Sequence, residues 1–119
     1  MKTSELIGAV LDWAVAKCEE VKIGQPEGRT FAFEWSLMHD AGDMNYSTDW
    51  AQAGPIIERE RIAVEFVRRD EVDSALLVWS ANKYGTGYDE EGFTPLIAAM
   101  RCYVASKLGD EVELPEELK

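Results

Sequence analysis

Residues that bind transition metals are scarce in this sequence. It has one histidine, His39, and two cysteines, Cys18 and Cys102, and neither cysteine belongs to a CxxC pair. A structural zinc site needs about four such ligands at close spacing. We therefore expect no metal site, and two free, packed thiols in a reducing cytosol.

Basic residues are also few. Lys and Arg number 12 against 23 Asp and Glu, which gives a net charge of −11. Proteins bind a phosphate backbone mainly through clustered basic side chains, so we expect no duplex nucleic acid as a partner. The acidity is typical of a chain that its charge keeps soluble.

Long apolar runs and cofactor motifs are missing as well. No run approaches the roughly 20 residues needed to span a bilayer, and no signal peptide is visible. The glycine-containing segment 82–93 lacks the GxxxxGK pattern followed by Ser or Thr that forms a Walker loop. We expect neither membrane association nor a cofactor.

The composition that is present indicates one globular domain over residues 1–119, with 46% hydrophobic and 29% charged residues. The order of periodic segments predicts an α+β fold, α-β-(β)-α-β-β-α. A small antiparallel sheet of about three to four strands, flanked by helices, would cover the apolar helix faces. Three layers in so short a chain would leave an apolar face exposed, which makes a homo-oligomer plausible.

The clearest helix covers residues 94–108. Thr94 is its cap, Pro95 suits the first helical position, and Gly109 suits the stop. Arg101 projects close to the apolar stripe of this helix, where a guanidinium needs an anion. That anion is either an internal Asp or Glu or a bound ligand.

The chain termini have weaker signals. Residues 4–18 carry apolar side chains at helical spacing after a cap at Thr3 or Ser4, which predicts a first helix. The acidic segment 110–119 contains a proline and is expected to be extended or frayed.

Alternating side chains predict the strands. Residues 62–68 and 74–81 alternate on either side of an acidic turn, which favours an antiparallel hairpin. Residues 29–37 alternate aromatic with smaller side chains, and residues 21–23 could pair with them. Residues 38–45 have no period and are expected to form a loop.

The segment between the hairpin and the last helix, residues 82–93, is expected to be a loop. It has three glycines and two tyrosines, Tyr84 and Tyr88. Glycines allow a backbone to approach a ligand, but they also form ordinary turns. Both interpretations remain open.

Residues 46–60 carry the densest information. Ser47 or Thr48 could cap a helix there. The Gly-Pro pair at 54–55 predicts that this helix ends near Ala53 and that Pro55 begins a separate turn, since an interior proline removes a hydrogen bond. A single kinked helix is the alternative. Four residues of the segment have no packing explanation: Tyr46, Asp49, Trp50 and Arg59.

Three blocks carry a resemblance to a known family. They are MKTSEL with LDWAVA in residues 1–16, YSTDW with GPIIERE in residues 46–60, and TPLIAAMRCYVA in residues 94–105. In this order the chain resembles the NinX-like proteins of lambda-like bacteriophages and prophages, small accessory proteins related to a phage alpha-beta-alpha sandwich domain. The resemblance implies expression in the cytoplasm of a bacterial host, and it supplies no catalytic residues.

The first functional hypothesis is a non-enzymatic accessory protein that binds and sequesters a small nucleotide-like ligand to counter host defence. Aromatic side chains would stack on a base and arginines would bind phosphate. The starts of the helices at Thr48 and Thr94 would offer backbone N–H groups. The candidate ligand-binding residues are Tyr46, Asp49, Trp50, Arg59, Tyr84, Tyr88 and Arg101.

Two other classes of function remain. A protein–protein interaction module would suit the acidity and the aromatic residues, with a host or phage protein as its partner. An enzyme is the less favoured hypothesis. It would use His39 as a base and paired carboxylates from Asp40, Asp43, Asp49 and Glu58, but no spacing in the sequence fixes their separation.

Overall fold

The computed structural model describes residues 1–19 and 44–114. In chain order its elements are helix α1 (Gly8–Cys18), helix α2 (Trp50–Glu60), strands β1 (Ile62–Arg69), β2 (Leu77–Lys83) and β3 (Asp89–Gly92), and helix α3 (Pro95–Leu108). This confirms the predicted α+β fold with a small antiparallel sheet. The strands predicted at 21–23 and 29–37, and residues 38–43 of the predicted loop, lie outside the described residues.

The sheet has the strand order β1-β2-β3, and both neighbouring pairs are antiparallel. The predicted hairpin is therefore confirmed. Phe66 of β1 faces Trp79 of β2, and their rings meet edge to face with centroids 5.6 Å apart. The register shifts between Phe66 and Arg68, so that β1 contains a bulge at Val67.

The segment 82–93 was predicted to be a loop, and that prediction was wrong for residues 82–83, which end β2, and for residues 89–92, which form β3. The sequence of β3, Asp-Glu-Glu-Gly, consists of residues that are depleted in strands. The strand forms because it pairs with β2 and because Gly92 lies directly on α3. A Cβ atom at Gly92 would be 2.7 Å from the nitrogen of Ala98 and from Cγ2 of Ile97. Close backbone packing, which the local sequence does not indicate, holds this strand.

Helix α3 forms the centre of the core, and its boundaries are as predicted. The Thr94 hydroxyl accepts a hydrogen bond of 3.1 Å from the N–H of Ile97, Pro95 opens the helix, and Gly109 ends it with a φ of 85°. The helix contacts all three strands and also α1 and α2. Its buried residues are Leu96, Ala98, Ala99, Met100, Cys102, Tyr103, Val104 and Ala105.

The N-terminal segment is not the continuous helix predicted for residues 4–18. Thr3–Glu5 forms a 3-10 turn, the chain is extended at Leu6, and α1 begins only at Gly8, whose φ is 60°. Thr3 caps no helix here, because its hydroxyl donates a 2.6 Å hydrogen bond to the carbonyl oxygen of Gly109. The side chain of Leu6 is fully buried. Long-range contacts of these residues therefore override the helical pattern.

The acidic segment after α3 is extended and paired over its described part. Lys2 and Glu111 form an antiparallel bridge, and Val112 is almost fully buried. The N–H of Val112 donates to the carbonyl oxygen of Met1 at 2.8 Å, and the Met1 ammonium group donates back to the carbonyl oxygen of Val112 at 2.9 Å. Residues 110–114 are thus not frayed, while residues 115–119 lie outside the described part of the chain.

Helix α2 runs without interruption through Gly54 and Pro55. The predicted division into two short helices was wrong, and the single-helix alternative holds. Ala53 and Ile56, on either side of the Gly-Pro pair, are both buried and anchor the two halves in one core. Gly54 also has no Cβ, so it avoids the clash that usually excludes a helical residue before proline. The cap is Asp49, and neither Ser47 nor Thr48 has this role.

Candidate functional site

A cavity of about 260 Å³ lies where helices α2 and α3 begin. We call it the Trp50 cavity. Trp50 is 57% exposed, which is unusual for the residue with the largest aromatic side chain. The lining residues are Ser47, Thr48, Trp50, Thr94, Pro95 and Leu96. The two capped helix starts that the sequence indicated therefore meet at one place in the fold.

The turn before α2 is held in position by hydrogen bonds of its backbone. The carbonyl oxygen of Asn45 accepts from the N–H of Thr48 at 3.1 Å and from the N–H of Asp49 at 2.8 Å. The N–H of Asn45 donates to Oε1 of Gln52 at 2.7 Å. The N–H of Ser47 donates to the buried carboxylate of Asp12 on α1 at 2.8 Å. This wall of the cavity is consequently tied to both α1 and α2.

The hydroxyl of Ser47 is the unusual group in that wall. Ser47 is 3% exposed, and its Oγ has no hydrogen-bond partner among the described residues. Buried hydroxyl groups are nearly always hydrogen-bonded, because leaving one unpaired costs roughly 1–3 kcal/mol. Because this Oγ has almost no accessible surface, a ligand in the cavity would reach it only after the side chain turns towards the cavity.

The backbone donors at the two helix starts are largely used within the protein. Oδ1 of Asp49 accepts from the N–H of Ala51 at 2.9 Å, and the Thr94 hydroxyl accepts from the N–H of Ile97. Oδ2 of Asp49 accepts a further bond of 3.2 Å from the side-chain amide of Gln52. Asp49 therefore serves as a helix cap, and its carboxylate places negative charge beside Trp50.

Arg59 does not face the Trp50 cavity. Its Nη2 donates to Oε1 of Glu19 at 2.7 Å and to the hydroxyl of Tyr103 at 3.3 Å, and its Nε donates to Oε2 of Glu60 at 2.8 Å. The guanidinium carbon also lies 5.8 Å from the centroid of the Tyr103 ring. Hydrogen bonds to Glu19 and Glu60 raise the pKa of Arg59. The predicted phosphate-binding arginine is thus bonded to carboxylates of its own chain.

Glu60 joins this ion-pair network to the sheet and to α3. Its Oε1 lies 2.7 Å from the Lys83 ammonium group and 3.8 Å from that of Lys107. Hydrogen bonds from Arg59 and Lys83 lower the pKa of Glu60 to about 2. Burial, and then the charges of Glu19 and Asp12, raise the pKa of Tyr46. Tyr46 also packs on the core, which explains it as a structural residue.

A second, larger cleft of about 500 Å³ lies along β3. We call it the acidic cleft, because four carboxylates and two guanidiniums line it. Its charged lining residues are Arg68, Asp70, Asp89, Glu90, Glu91 and Arg101, with Ser4, Val78, Gly92 and Phe93 completing the wall.

Within the acidic cleft, Arg101 is bonded to backbone. Its Nε donates to the carbonyl oxygen of Leu6 and its Nη1 to the carbonyl oxygen of Glu91, both at 2.8 Å. The sequence predicted an internal acid or a ligand anion as its partner. Its hydrogen bonds go to these two carbonyl groups, and the charge of Glu90, an internal acid, also favours the guanidinium. Burial lowers the pKa of Arg101 and raises that of Glu90. Arg101 therefore links the N-terminal segment, α3 and β3.

Tyr84 and Tyr88 lie in the turn between β2 and β3, away from the lining of either cavity. Gly85 and Gly87 have φ values of 80° and 78°, which only glycine adopts readily, and so they shape this turn. Tyr84 is 79% exposed, whereas Tyr88 is 36% exposed. The structure therefore does not bring these two tyrosines together with Trp50.

The described residues offer little for covalent or metal chemistry. Cys18 and Cys102 are free, as predicted, and burial raises the pKa of Cys18 to about 12 and that of Cys102 to about 11. Such thiols are not nucleophiles at neutral pH. Within residues 1–19 and 44–114, no group of three His, Cys, Asp or Glu side chains is placed to hold a metal ion. His39, Asp40 and Asp43 lie outside these ranges.

Of the seven residues predicted for the site, Trp50 lines the cavity named after it, Asp49 caps the adjoining helix, and Arg101 lines the acidic cleft. Sequence reasoning missed the role of Ser47, which it treated only as a cap. No local signal identifies it, because its burial depends on α1 and its position in the cavity depends on α3.

A comparison with protein families identifies the chain. The family model described as "Bacteriophage P22, NinX" matches residues 2–107, so the chain belongs to this phage protein family. No curated protein matches it. In the two stretches of chain that the structure describes, no helix is long and apolar enough to cross a membrane.

Proposed function

We propose that this NinX family protein is a non-enzymatic phage accessory protein that captures a small nucleotide-like ligand in the Trp50 cavity. The half-exposed indole of Trp50 at the wall of this cavity is the observation that supports the proposal. Stacking of one base on an aromatic side chain contributes about 1–3 kcal/mol. Sequestration of such a ligand in the host cytoplasm, against a host defence signal, is the biological role we assign to it.

The size of the cavity limits the size of the ligand that it can bind. At about 260 Å³ it lies just below the roughly 300–1,000 Å³ typical of small-molecule sites. A cavity of this size has room for a nucleobase. The described lining consists of hydroxyl and apolar side chains and includes no carboxylate, histidine, lysine or cysteine that could act as a general acid or base. Binding without turnover is the activity that suits such a wall.

The test is calorimetric titration of the protein with a panel of bases, nucleosides, and linear and cyclic nucleotides. At least one panel member should bind, and Trp50→Ala should abolish that binding while thermal unfolding shows a folded protein. Phe66→Ala is the matched control, since Phe66 is 50% exposed on the sheet and does not line the cavity. Failure of every panel member to bind would refute the proposal.

A protein–protein interaction module is the second candidate, and the acidic cleft is the observation that favours it. Four of its lining residues are acids, and the adjoining Phe93 is 47% exposed. A basic segment of a host or phage protein would match this surface in charge, with an aromatic contact beside it.

Titration with an arginine- and lysine-rich peptide tests this second candidate. Binding should weaken steeply with salt and should fall in Asp70→Asn and Asp89→Asn variants. Glu5→Gln, a change of the same charge outside the cleft, is the control. Equal binding by all three variants would exclude the cleft.

A further inference from the structure

We infer that the Trp50 cavity selects an uncharged planar ring with a hydrogen-bonding edge, such as a nucleobase, and does not read phosphate. This inference rests on the proposed function, because it names the ligand class of the same site. It departs from the expectation that arginines and helix starts would bind the phosphate of a nucleotide.

The first argument is that the described residues of the wall include no cationic side chain. All six residues that line the cavity in the described chain are uncharged. Arg59 is bonded to Glu19 and Glu60, and Arg101 to two backbone carbonyls. A phosphate in the cavity would therefore have no guanidinium partner from either of the arginines that the sequence suggested.

The second argument is the state of the two helix starts. A helix start attracts anions through its unpaired N–H groups. At α2 the Asp49 carboxylate already accepts from the N–H of Ala51, and at α3 the Thr94 hydroxyl accepts from that of Ile97. Pro95 has no N–H to offer. The carboxylate of Asp49, next to Trp50 in the chain, would also repel a bound phosphate.

The third argument is the hydroxyl of Ser47. It is buried, it belongs to a residue of the cavity wall, and it is unpaired within the described part of the chain. A hydroxyl both donates and accepts, so after the Ser47 side chain turns towards the cavity it would match the mixed donor and acceptor edge of a base. The exposed indole of Trp50 would stack on the face of a flat ring, and the Ser47 hydroxyl would bond its edge.

The experiment is a calorimetric series of free base, nucleoside and 5′-monophosphate for each of adenine, guanine, cytosine and uracil. The base and its nucleoside should bind in at least one series. Addition of the phosphate should leave the Kd unchanged or weaken it, with little dependence on salt. A monophosphate that binds tenfold more tightly than its nucleoside would overturn the inference and leave the proposed function intact. Absence of binding in every series would overturn both.

Ser47→Ala gives the second readout. It removes the hydroxyl but keeps the backbone N–H that bonds Asp12, so the fold should persist. We expect the Kd for the nucleoside to rise about tenfold, as the loss of one hydrogen bond implies. Ser74→Ala, which removes an exposed hydroxyl in the turn between β1 and β2 and does not line the cavity, should leave the Kd unchanged. Equal Kd values for Ser47→Ala and the unmodified protein would refute the role of this hydroxyl.

Discussion

The N–H of Ser47 donates a 2.8 Å hydrogen bond to the carboxylate of Asp12, and both residues are 3% exposed. This bond joins the turn before α2 to the middle of α1. A buried carboxylate needs hydrogen-bond donors, because burying it without them is costly. The Asp12 carboxylate therefore favours the position of the turn in which the Ser47 N–H donates to it. The wall of the Trp50 cavity therefore depends on α1, which does not itself line the cavity.

Removal of this carboxylate should destabilise the fold. We expect Asp12→Ala to lower the free energy of unfolding by about 2 kcal/mol, since hydrogen bonds to charged groups contribute about 1.5–3 kcal/mol. Asp12→Asn retains an acceptor oxygen and should cost less. Urea unfolding of both variants provides the measurement, and an equal loss in the two would show that charge, and not the acceptor, is what matters at this position.

Arg59 should affect stability and leave ligand binding unchanged. Its side chain is 50% exposed, so solvent screens its ion pair with Glu19, and we expect a coupling energy of only about 0.5–1 kcal/mol. A double-mutant cycle of Arg59→Ala and Glu19→Ala, at low salt and at about 1 M salt, would measure this coupling and its screening. The more exposed pair of Arg68 and Glu91 is the control and should show weaker coupling. Loss of nucleoside binding in Arg59→Ala would instead show that Arg59 contributes to the ligand site.

The pH dependence of stability should depend strongly on Glu60. Its pKa is lowered from an ordinary value of 4.5 to about 2 in the folded protein, because Arg59 and Lys83 bond its carboxylate. A lowered folded-state pKa stabilises the protein above the ordinary pKa, and this contribution is lost as the pH falls from about 5 towards about 2. Glu60→Gln should reduce that loss in acid titrations followed by circular dichroism. An unchanged acid profile in the variant would contradict the assignment.

Gly92→Ala should destabilise the contact between β3 and α3. The added methyl group would lie 2.7 Å from the backbone nitrogen of Ala98, and overpacking of this kind costs about 1–3 kcal/mol. Truncation of the neighbouring side chain in Gly92→Ala/Ile97→Ala should not restore stability, because the contact with the backbone nitrogen remains. Thermal unfolding of the single and double variants checks this, and a full rescue would show that only the side chain was in the way.

Pro55→Ala should stabilise the protein. Pro55 is exposed in the interior of α2, where it removes one helical hydrogen bond. Alanine restores the N–H, although it also makes the unfolded chain more flexible. We expect a net gain of about 1–2 kcal/mol in chemical unfolding. A loss of stability would mean that the proline ring makes a contact that the helix needs.

Much of the fold follows from local sequence. Helix α3 was predicted with its boundaries because Thr94, Pro95 and Gly109 act within one turn of the helix ends. The hairpin of β1 and β2 follows from alternating side chains on either side of a short turn. These signals concern residues close together in the chain, and their physical basis, capping and side-chain periodicity, operates without knowledge of the rest of the molecule.

The tertiary structure decided what local signals could not. Strand β3 forms from unfavourable residues because Gly92 meets α3, and α2 continues through Pro55 because Ala53 and Ile56 share one core. The sequence alone determined the family, the fold class and the presence of Trp50. Only the packed chain showed that the starts of α2 and α3 enclose a cavity, that Arg59 and Arg101 are bonded internally, and that the Ser47 hydroxyl is buried unpaired. Each of these features depends on contacts between residues that are distant in the sequence, and burial of the whole core determines which of those contacts form.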